Sequence, residues 1–393
     1  MKCRRGFIER YQVRYSDFEN SPSGHLIPTL FNARAFVPNP LPPNLDLGAV
    51  ALVLGDAMAA IGELRGACRR LVNPYVLIRP LQRLEAQTSS AMEGTHTTND
   101  ELVMAEAGVE KHPTLEAIEV RNYISALAWA EGELPNLPIS GRLIRGAHRR
   151  LLTNVGRVRG QDKLPGEFKR DQNLIGGMTL EAARFIPPPP KEAEAAMVEL
   201  ERFINRDGKS ASSPLIDMAL VHYQFETIHP FADGNGRVGR MLISLMAITE
   251  GLLDFPVLYM SPELEGQKDA YIDLMYAVSS LGQWENWIRF FLTTLAKSAR
   301  RTVATIDRVL ALQAEYHARV SAVSRSNNML AVIDMLFDSP VIRARQISER
   351  QGITDAAARN IIRQLVDLGI LQELGSYYPM AWLARQISIV SAP

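Results

Sequence analysis

The 393-residue sequence contains two cysteines, Cys3 and Cys68. So few thiols exclude a disulfide framework or a cysteine zinc cluster and make a reducing cytoplasm the expected setting. An excess of charge is missing too, since 43 basic side chains balance 43 acidic ones. A neutral chain has no global attraction for nucleic acid, lipid or an acidic ligand, so such binding must come from a local patch. Long apolar runs are also missing. The longest, Leu47 to Ile61, is broken by Asp56 and reads as too short to span a bilayer. The basic start, Met1 to Arg5, is followed by no apolar stretch of the kind a secretion signal carries. These absences predict a cytoplasmic protein with no membrane partner. Proline is dense only at positions 36–43 and 187–190, where it forbids helix interiors and central strands.

Helical periodicity fills most of the remainder. After an extended lead-in to about residue 45, it predicts helices near 47–71, 78–86, 99–131, 140–152, 191–205, 212–228 and 237–251. Trp284, Trp287, Phe290 and Phe291 read as the packing of a closing helix, and a charged helix from about Thr293 to Ser324 leads to a further unit. There, helices near 328–337, 344–351 and 354–368, with a turn at Gly352, precede an alternating segment from Leu371 to Trp382 around Gly375-Ser376. This order resembles a winged helix-turn-helix, with Arg359 and Arg363 facing a DNA groove or a protein partner. Positions 325–393 hold seven arginines, no lysine and six acids. A net of +1 is a weak footprint for DNA, so a protein partner stays open. The expected fold is all-α with a small β-hairpin flap and this C-terminal module, divided into 1–110, 111–300 and 301–393.

One stretch carries most of the chemistry, His229-Pro-Phe-Ala-Asp-Gly-Asn-Gly-Arg-Val-Gly-Arg240. Asp233-Gly234-Asn235-Gly236 is a turn whose glycines take positive φ, so that successive backbone N–H groups point inward at an anion. The helix predicted after it puts that nest at a helix N-terminus, where a phosphate is stabilised. Arg237 and Arg240 lie one turn apart with planar forks suited to phosphate oxygens. Asp233 is the loop's single carboxylate, and one carboxylate plus substrate phosphates is a usual Mg²⁺ site. His229, with an ordinary pKa of about 6.5, offers a neutral base.

His229, Phe231, Asp233, Gly234, Asn235, Gly236, Arg237 and Arg240 resemble, position for position, the HxFx(D/E)GNGRxxR signature of Fic domains. The resemblance implies a Mg²⁺-dependent transfer of AMP from ATP to a hydroxyl side chain of a protein target. His229 would take the target's proton and Asp233 would hold the metal. Gly234, Asn235 and Gly236 would line the anion hole, Arg237 and Arg240 would bind the outer phosphates, and Phe231 would anchor the loop. Relatives that remove AMP or transfer another phosphate-containing group share these residues, and a homodimer is suggested by analogy. A reading of another class is a transcriptional regulator whose Fic core senses nucleotide.

Upstream, Thr88-Ser-Ser-Ala-Met-Glu-Gly-Thr95 has two readings. Ser90 and Glu93 fit a capping box at a helix start. Ser89 to Gly94 also resembles the Fic inhibitory motif [S/T]xxxE[G/N], in which Glu93 would pair with Arg240 and block the ATP γ-phosphate, one guanidinium being contested by two anions.

Leu164 to Met178 breaks the helical pattern, and its glycines with Phe168 and Ile175 suggest a short hairpin. It resembles the Fic flap, which lets a target segment add as a strand; Arg170, Asn173, Ile175 and Gly176 are its target-facing candidates, against a plain connecting hairpin. Tyr271 and Met275, one turn apart, fit an adenine pocket or ordinary core. His222 reads as packed core. His148, among Arg145, Arg149 and Arg150, reads as part of a solvated or interdomain face, and His112 as a loop residue.

Overall fold

The computed structural model describes residues 13–71, 73–109, 112–158, 160–177, 179–180, 182–207, 213–375 and 380–390. Its helices of eight residues or more are α1 (Ala51–Cys68), α2 (Arg79–Ala91), α3 (Asn99–Glu106), α4 (Leu115–Glu133), α5 (Gly141–Leu151), α6 (Pro190–Ile204) and α7 (Pro214–Ile228). They continue as α8 (Asn235–Thr249), α9 (Lys268–Leu281), α10 (Trp284–Val323), α11 (Asn327–Asp338), α12 (Ala344–Gln351) and α13 (Asp355–Asp367). The fold is mainly helical, as the periodicity predicted. α7 and α8 form its centre. α7 starts with Pro214 in its first turn behind Ser213, whose hydroxyl accepts from the Leu215 N–H, and it is apolar on most faces because neighbours cover it all round. Ser212 and the methionine at 178, part of the cap and flap readings, lie outside the described residues.

Several expectations are corrected. The lead-in contains β1 (Gly24–Pro28) and β2 (Arg34–Pro38), paired antiparallel. The stretch expected as one helix over 99–131 is two, because Gly108 takes φ 61° and Pro113 precedes the second. Ser89 and Ser90 lie at the C-terminal end of α2, so the capping-box reading of Ser90 and Glu93 fails. The capping box is instead at Thr98 and Glu101, which start α3. The flap forms no strand pair among the described residues; one isolated bridge joins Ile175 to Phe185.

α10 is a single helix of 40 residues, so the expected boundary at 300 falls inside it. Residues 284–323 contain neither glycine nor proline to interrupt it. The segment Leu47–Cys68 is 22 helical residues whose most apolar 18-residue window has a mean hydropathy of 1.7, long and apolar enough to cross a membrane by length and composition, against the shorter run expected; 28% of that window is buried. Asp56, expected to break it, lies on its exposed side and pairs with Arg300 of α10 at 2.6 Å.

In the C-terminal unit, α12 and α13 meet at Gly352, which takes φ 64°. A three-stranded antiparallel sheet, β3 (Val341–Ile342), β5 (Ala381–Leu383), β4 (Gln372–Leu374) in spatial order, stands beside them. Ser376, at the expected hairpin tip, lies outside the described residues. Val341, Ala381 and Leu383 form an apolar cluster with Val103, Met104 and Val109, so the sheet rests on α3 and the turn after it. Arg83 of α2, buried, donates to the Asp338 carbonyl and to Glu106, both at 2.6 Å.

Candidate active site

The loop between α7 and α8 begins and ends on a left-handed residue. His229 ends α7 at φ 51° with its N–H donating to the Phe225 carbonyl, and Gly234 takes φ 79° immediately before α8. A non-glycine residue at positive φ is uncommon and persists where its surroundings over-determine it. Those surroundings are the Asn235 side chain, whose Oδ1 accepts from the Phe231 N–H and whose Nδ2 donates to the Phe231 carbonyl, both at 2.8 Å. From the flap, Asn173 Nδ2 donates to the Phe231 carbonyl at 2.7 Å. Asn235 thus braces the loop with its side chain.

His148 is a correction. It is fully buried beneath the loop, its ring stacked on Phe231 with centroids 3.8 Å apart. The Gly166 N–H donates to its Nδ1 at 2.9 Å, so Nε2 carries the proton and donates to the Asp233 carbonyl at 3.0 Å. Burial pulls its pKa down to about 4 and keeps it neutral. Arg149 and Arg150 misled, because i+1 and i+2 neighbours on a helix face other ways.

His229 Nδ1 lies 3.3 Å from the Glu226 carbonyl. A carbonyl only accepts, so Nδ1 carries the hydrogen and Nε2 keeps its lone pair. Burial first, then the nearby Lys169 charge, holds the His229 pKa at about 4. Lys169 is itself buried and pulled down to about 7; it donates to the Ile228 carbonyl at 3.4 Å, while its backbone N–H donates to the Pro230 carbonyl at 2.8 Å. Sequence reasoning missed this lysine and took its neighbour Arg170, which points to solvent and pairs with Glu167 at 2.6 Å.

The predicted anion nest has an occupant. Arg240 donates from Nε to Ser89 Oγ and from Nη2 to the Ser89 carbonyl, each at 2.8 Å, and from Nη2 to Glu93 Oε1 at 2.7 Å. A Cβ placed on Gly236 would lie 2.1 Å from Glu93 Oε1 and 2.8 Å from Arg240 Nη1. The carboxylate therefore rests against the first turn of α8, which no side chain caps. Burial raises the Glu93 pKa, but Arg240 outweighs it and holds the group below the usual carboxylate range. Arg240 in turn keeps its proton more firmly than usual, Glu93 and Glu226 outweighing the cost of burial.

Arg237 is placed differently. It is fully buried, with Nη1 3.0 Å from Glu119 Oε2 and Nη2 3.4 Å from Asp233 Oδ1. Glu119 Oε2 also accepts from Thr95 Oγ1 at 2.9 Å, which ties the turn after Glu93 to α4. Arg237 does not line the cavity and holds Asp233 from behind.

That cavity, of about 430 Å³, brings together Glu93, Glu226, His229, Gly236 and Arg240 with Ile175 and Gly176 of the flap and Tyr271, Ile272 and Met275 of α9. The size suits a nucleotide-sized ligand. The Tyr271 hydroxyl donates to His222 Nε2 at 3.0 Å, while His222 Nδ1 donates to the Gly239 carbonyl at 3.2 Å, so His222 is packed core and Tyr271 is wall. Among the described residues no three His, Cys, Asp or Glu side chains converge as a metal cage. Asp233, partly exposed, accepts from the Gly234 N–H at 2.6 Å. A lone oxygen donor of this kind fits Mg²⁺ shared with phosphates.

Residues 138–247 match the Fic/DOC family model and residues 52–131 match the Fic/DOC family N-terminal model. Protein adenylyltransferase Fic of Drosophila melanogaster is 29% identical over 199 residues, covering 50% of this chain and 37% of that protein. The chain thus spans little more than a third of the length of the curated relatives it matches. A Fic family protein of Desulfovibrio desulfuricans shares the fold at 18% identity and a TM-score of 0.56, covering 88% of this chain and 98% of that one. Fic-1 of C. elegans does so at 20% identity and a TM-score of 0.51, covering 66% and 75%.

Proposed function

Because this chain belongs to the Fic/DOC family, we propose that it is a protein adenylyltransferase that moves AMP from ATP to a hydroxyl side chain of a protein target and is held inactive by Glu93. The observation that carries the reading is a neutral His229 facing the same cavity as an arginine-lined anion seat at a helix N-terminus. In the reaction, Nε2 of His229 takes the target hydroxyl's proton while that oxygen attacks the α-phosphorus. The bond from the α-phosphorus to the β-phosphate oxygen breaks and pyrophosphate leaves. Positioning and charge stabilisation supply the rate, with no covalent intermediate on the protein. Asp233 would hold Mg²⁺, which when bound neutralises phosphate charge. The backbone N–H groups of the α8 first turn and Arg240 take the phosphates once Glu93 has left. Ile175 and Gly176, on the cavity's flap side, offer an edge to a target segment.

A second reading has one observation in its favour. Glu93 and His229 share the cavity, so a water held between them would remove AMP from a modified target. Intact mass after incubation with ATP and Mg²⁺ tests the first reading, and loss of AMP mass from a modified target incubated with the wild type tests the second. Transfer adds one AMP per modified site in Glu93→Gly, less in the wild type and none with His229→Ala; no gain in any variant contradicts the transferase reading.

A further inference from the structure

Glu226 sits on the last turn of α7, three residues before His229, and lines the same cavity. Its Oε1 is buried without a hydrogen-bond partner. The polar groups around it are paired: Tyr271 with His222, His222 with the Gly239 carbonyl, and Arg240 with Ser89 and Glu93. A buried carboxyl oxygen left without a partner is costly, so keeping one here calls for a use that the protein alone does not supply.

The surroundings say what kind of use. A Cβ placed on Gly239 would lie 2.2 Å from Glu226 Oε1, just as one on Gly236 would lie 2.1 Å from Glu93 Oε1. α8 thus has two notches one turn apart, each filled by a carboxyl. The first is the anion seat. The second lies about 4.5 Å further along the helix axis, where His222 links the Gly239 carbonyl to the Tyr271 hydroxyl, and Tyr271 lines the cavity with Ile272 and Met275. A ligand with phosphates at the first notch and a base against that wall presents its sugar at the second. The unpartnered Glu226 oxygen is an acceptor and so is suited to a hydroxyl donor.

We propose that Glu226 reads the sugar of the bound nucleotide, accepting a hydrogen bond from a ribose hydroxyl, and so makes the site selective for ribonucleotides. The inference rests on ATP being the ligand of this cavity. The charged and titratable groups facing Glu226 are Arg240 on α8, Glu93 on the turn after α2, Tyr271 on α9 and His229 beside it. Burial pushes Glu226 up to about 8, with Arg240 pulling it down and Glu93 adding to the rise. At neutral pH the group is therefore mostly uncharged beside a triphosphate, and its carbonyl oxygen still accepts.

The test is equilibrium binding of ATP, 2′-deoxy-ATP and 3′-deoxy-ATP to Glu93→Gly, with and without a second change at Glu226. Glu93→Gly binds ATP at least about tenfold more tightly than one of the deoxynucleotides, the size of one hydrogen bond. Adding Glu226→Met collapses that ratio by weakening ATP and sparing the deoxynucleotide. Adding Glu226→Gln, which keeps an acceptor and the shape, preserves it. Thermal unfolding of each variant separates misfolding from lost recognition. A ratio unchanged by Glu226→Met, or no discrimination at all by Glu93→Gly, overturns the assignment while leaving ATP as the ligand. Failure of Glu93→Gly to bind any of the three overturns the functional reading and this inference with it.

Discussion

Arg237 and Arg240 stand on one helix, one turn apart, and each faces a carboxylate from a distant segment, yet the two pairs are built for different purposes. Arg237 and Glu119 are sealed, with side chains 0% and 1% exposed. Arg240 is 2% exposed but Glu93 is 34% exposed, on a turn rather than a helix, and opens on the cavity. A sealed pair cannot be parted without stranding a charge, at a cost of about 3–5 kcal/mol. A pair with one solvated member can exchange its anion for another. The difference separates the arginine that holds the loop from the arginine that lines the cavity, although the sequence presents them alike.

The largest effect that would sharpen this contrast is in stability. Glu119→Ala is expected to lower unfolding free energy by about 3–5 kcal/mol in denaturant titration, since it leaves the buried Arg237 with only its longer contact to Asp233, at 3.4 Å. Glu93→Ala is expected to cost at least about 2 kcal/mol less, because Arg240 keeps both Ser89 acceptors and borders the cavity. Equal losses would break the distinction.

His229→Ala comes next. It should abolish transfer and change ATP affinity by less than about threefold, because the base touches the reacting hydroxyl and the arginine holds the phosphates. A smaller effect is the pH profile. His229 is held at about 4, so its base form is present at neutral pH and is lost only as pH falls through that value. The rate of transfer by Glu93→Gly should stay level from pH 7 to about 5, and an acid limb centred near 6.5 would contradict the burial of the ring. Lys169→Met, which removes a cation, should move that limb upward. The smallest expected effect is that of Arg359→Ala with Arg363→Ala. Both side chains are exposed on α13, away from the cavity, and the pair should leave transfer unchanged.

Local chemistry was legible and distant partnership was not. The loop could be read because its glycines, histidine and arginines each meet a requirement of a few residues' span, although α8 begins at Asn235, two residues before the predicted start, and takes Gly236 into its first turn. The break near Gly108 and Pro113 and the unbroken run from Trp284 to Val323 were both written in the presence or absence of helix breakers, and were read too coarsely. Glu119 is another matter. Nothing within its own helix marks it as the partner of an arginine 118 positions later. His148 and Lys169 escaped for the same reason, since their roles come from the loop that folds over them. Glu226 had a signal in hand, the one carboxyl on the last two turns of α7, three residues before His229.

The account turns on Glu93 occupying the seat of a phosphate. Titration calorimetry of ATP with Mg²⁺ into the wild type and Glu93→Gly measures that directly. A charge-assisted contact of about 1.5–3 kcal/mol, handed from carboxylate to phosphate, predicts affinity at least about tenfold tighter in the variant. Equal affinity in the two proteins would mean that Glu93 and the nucleotide do not compete for Arg240, and would contradict the account.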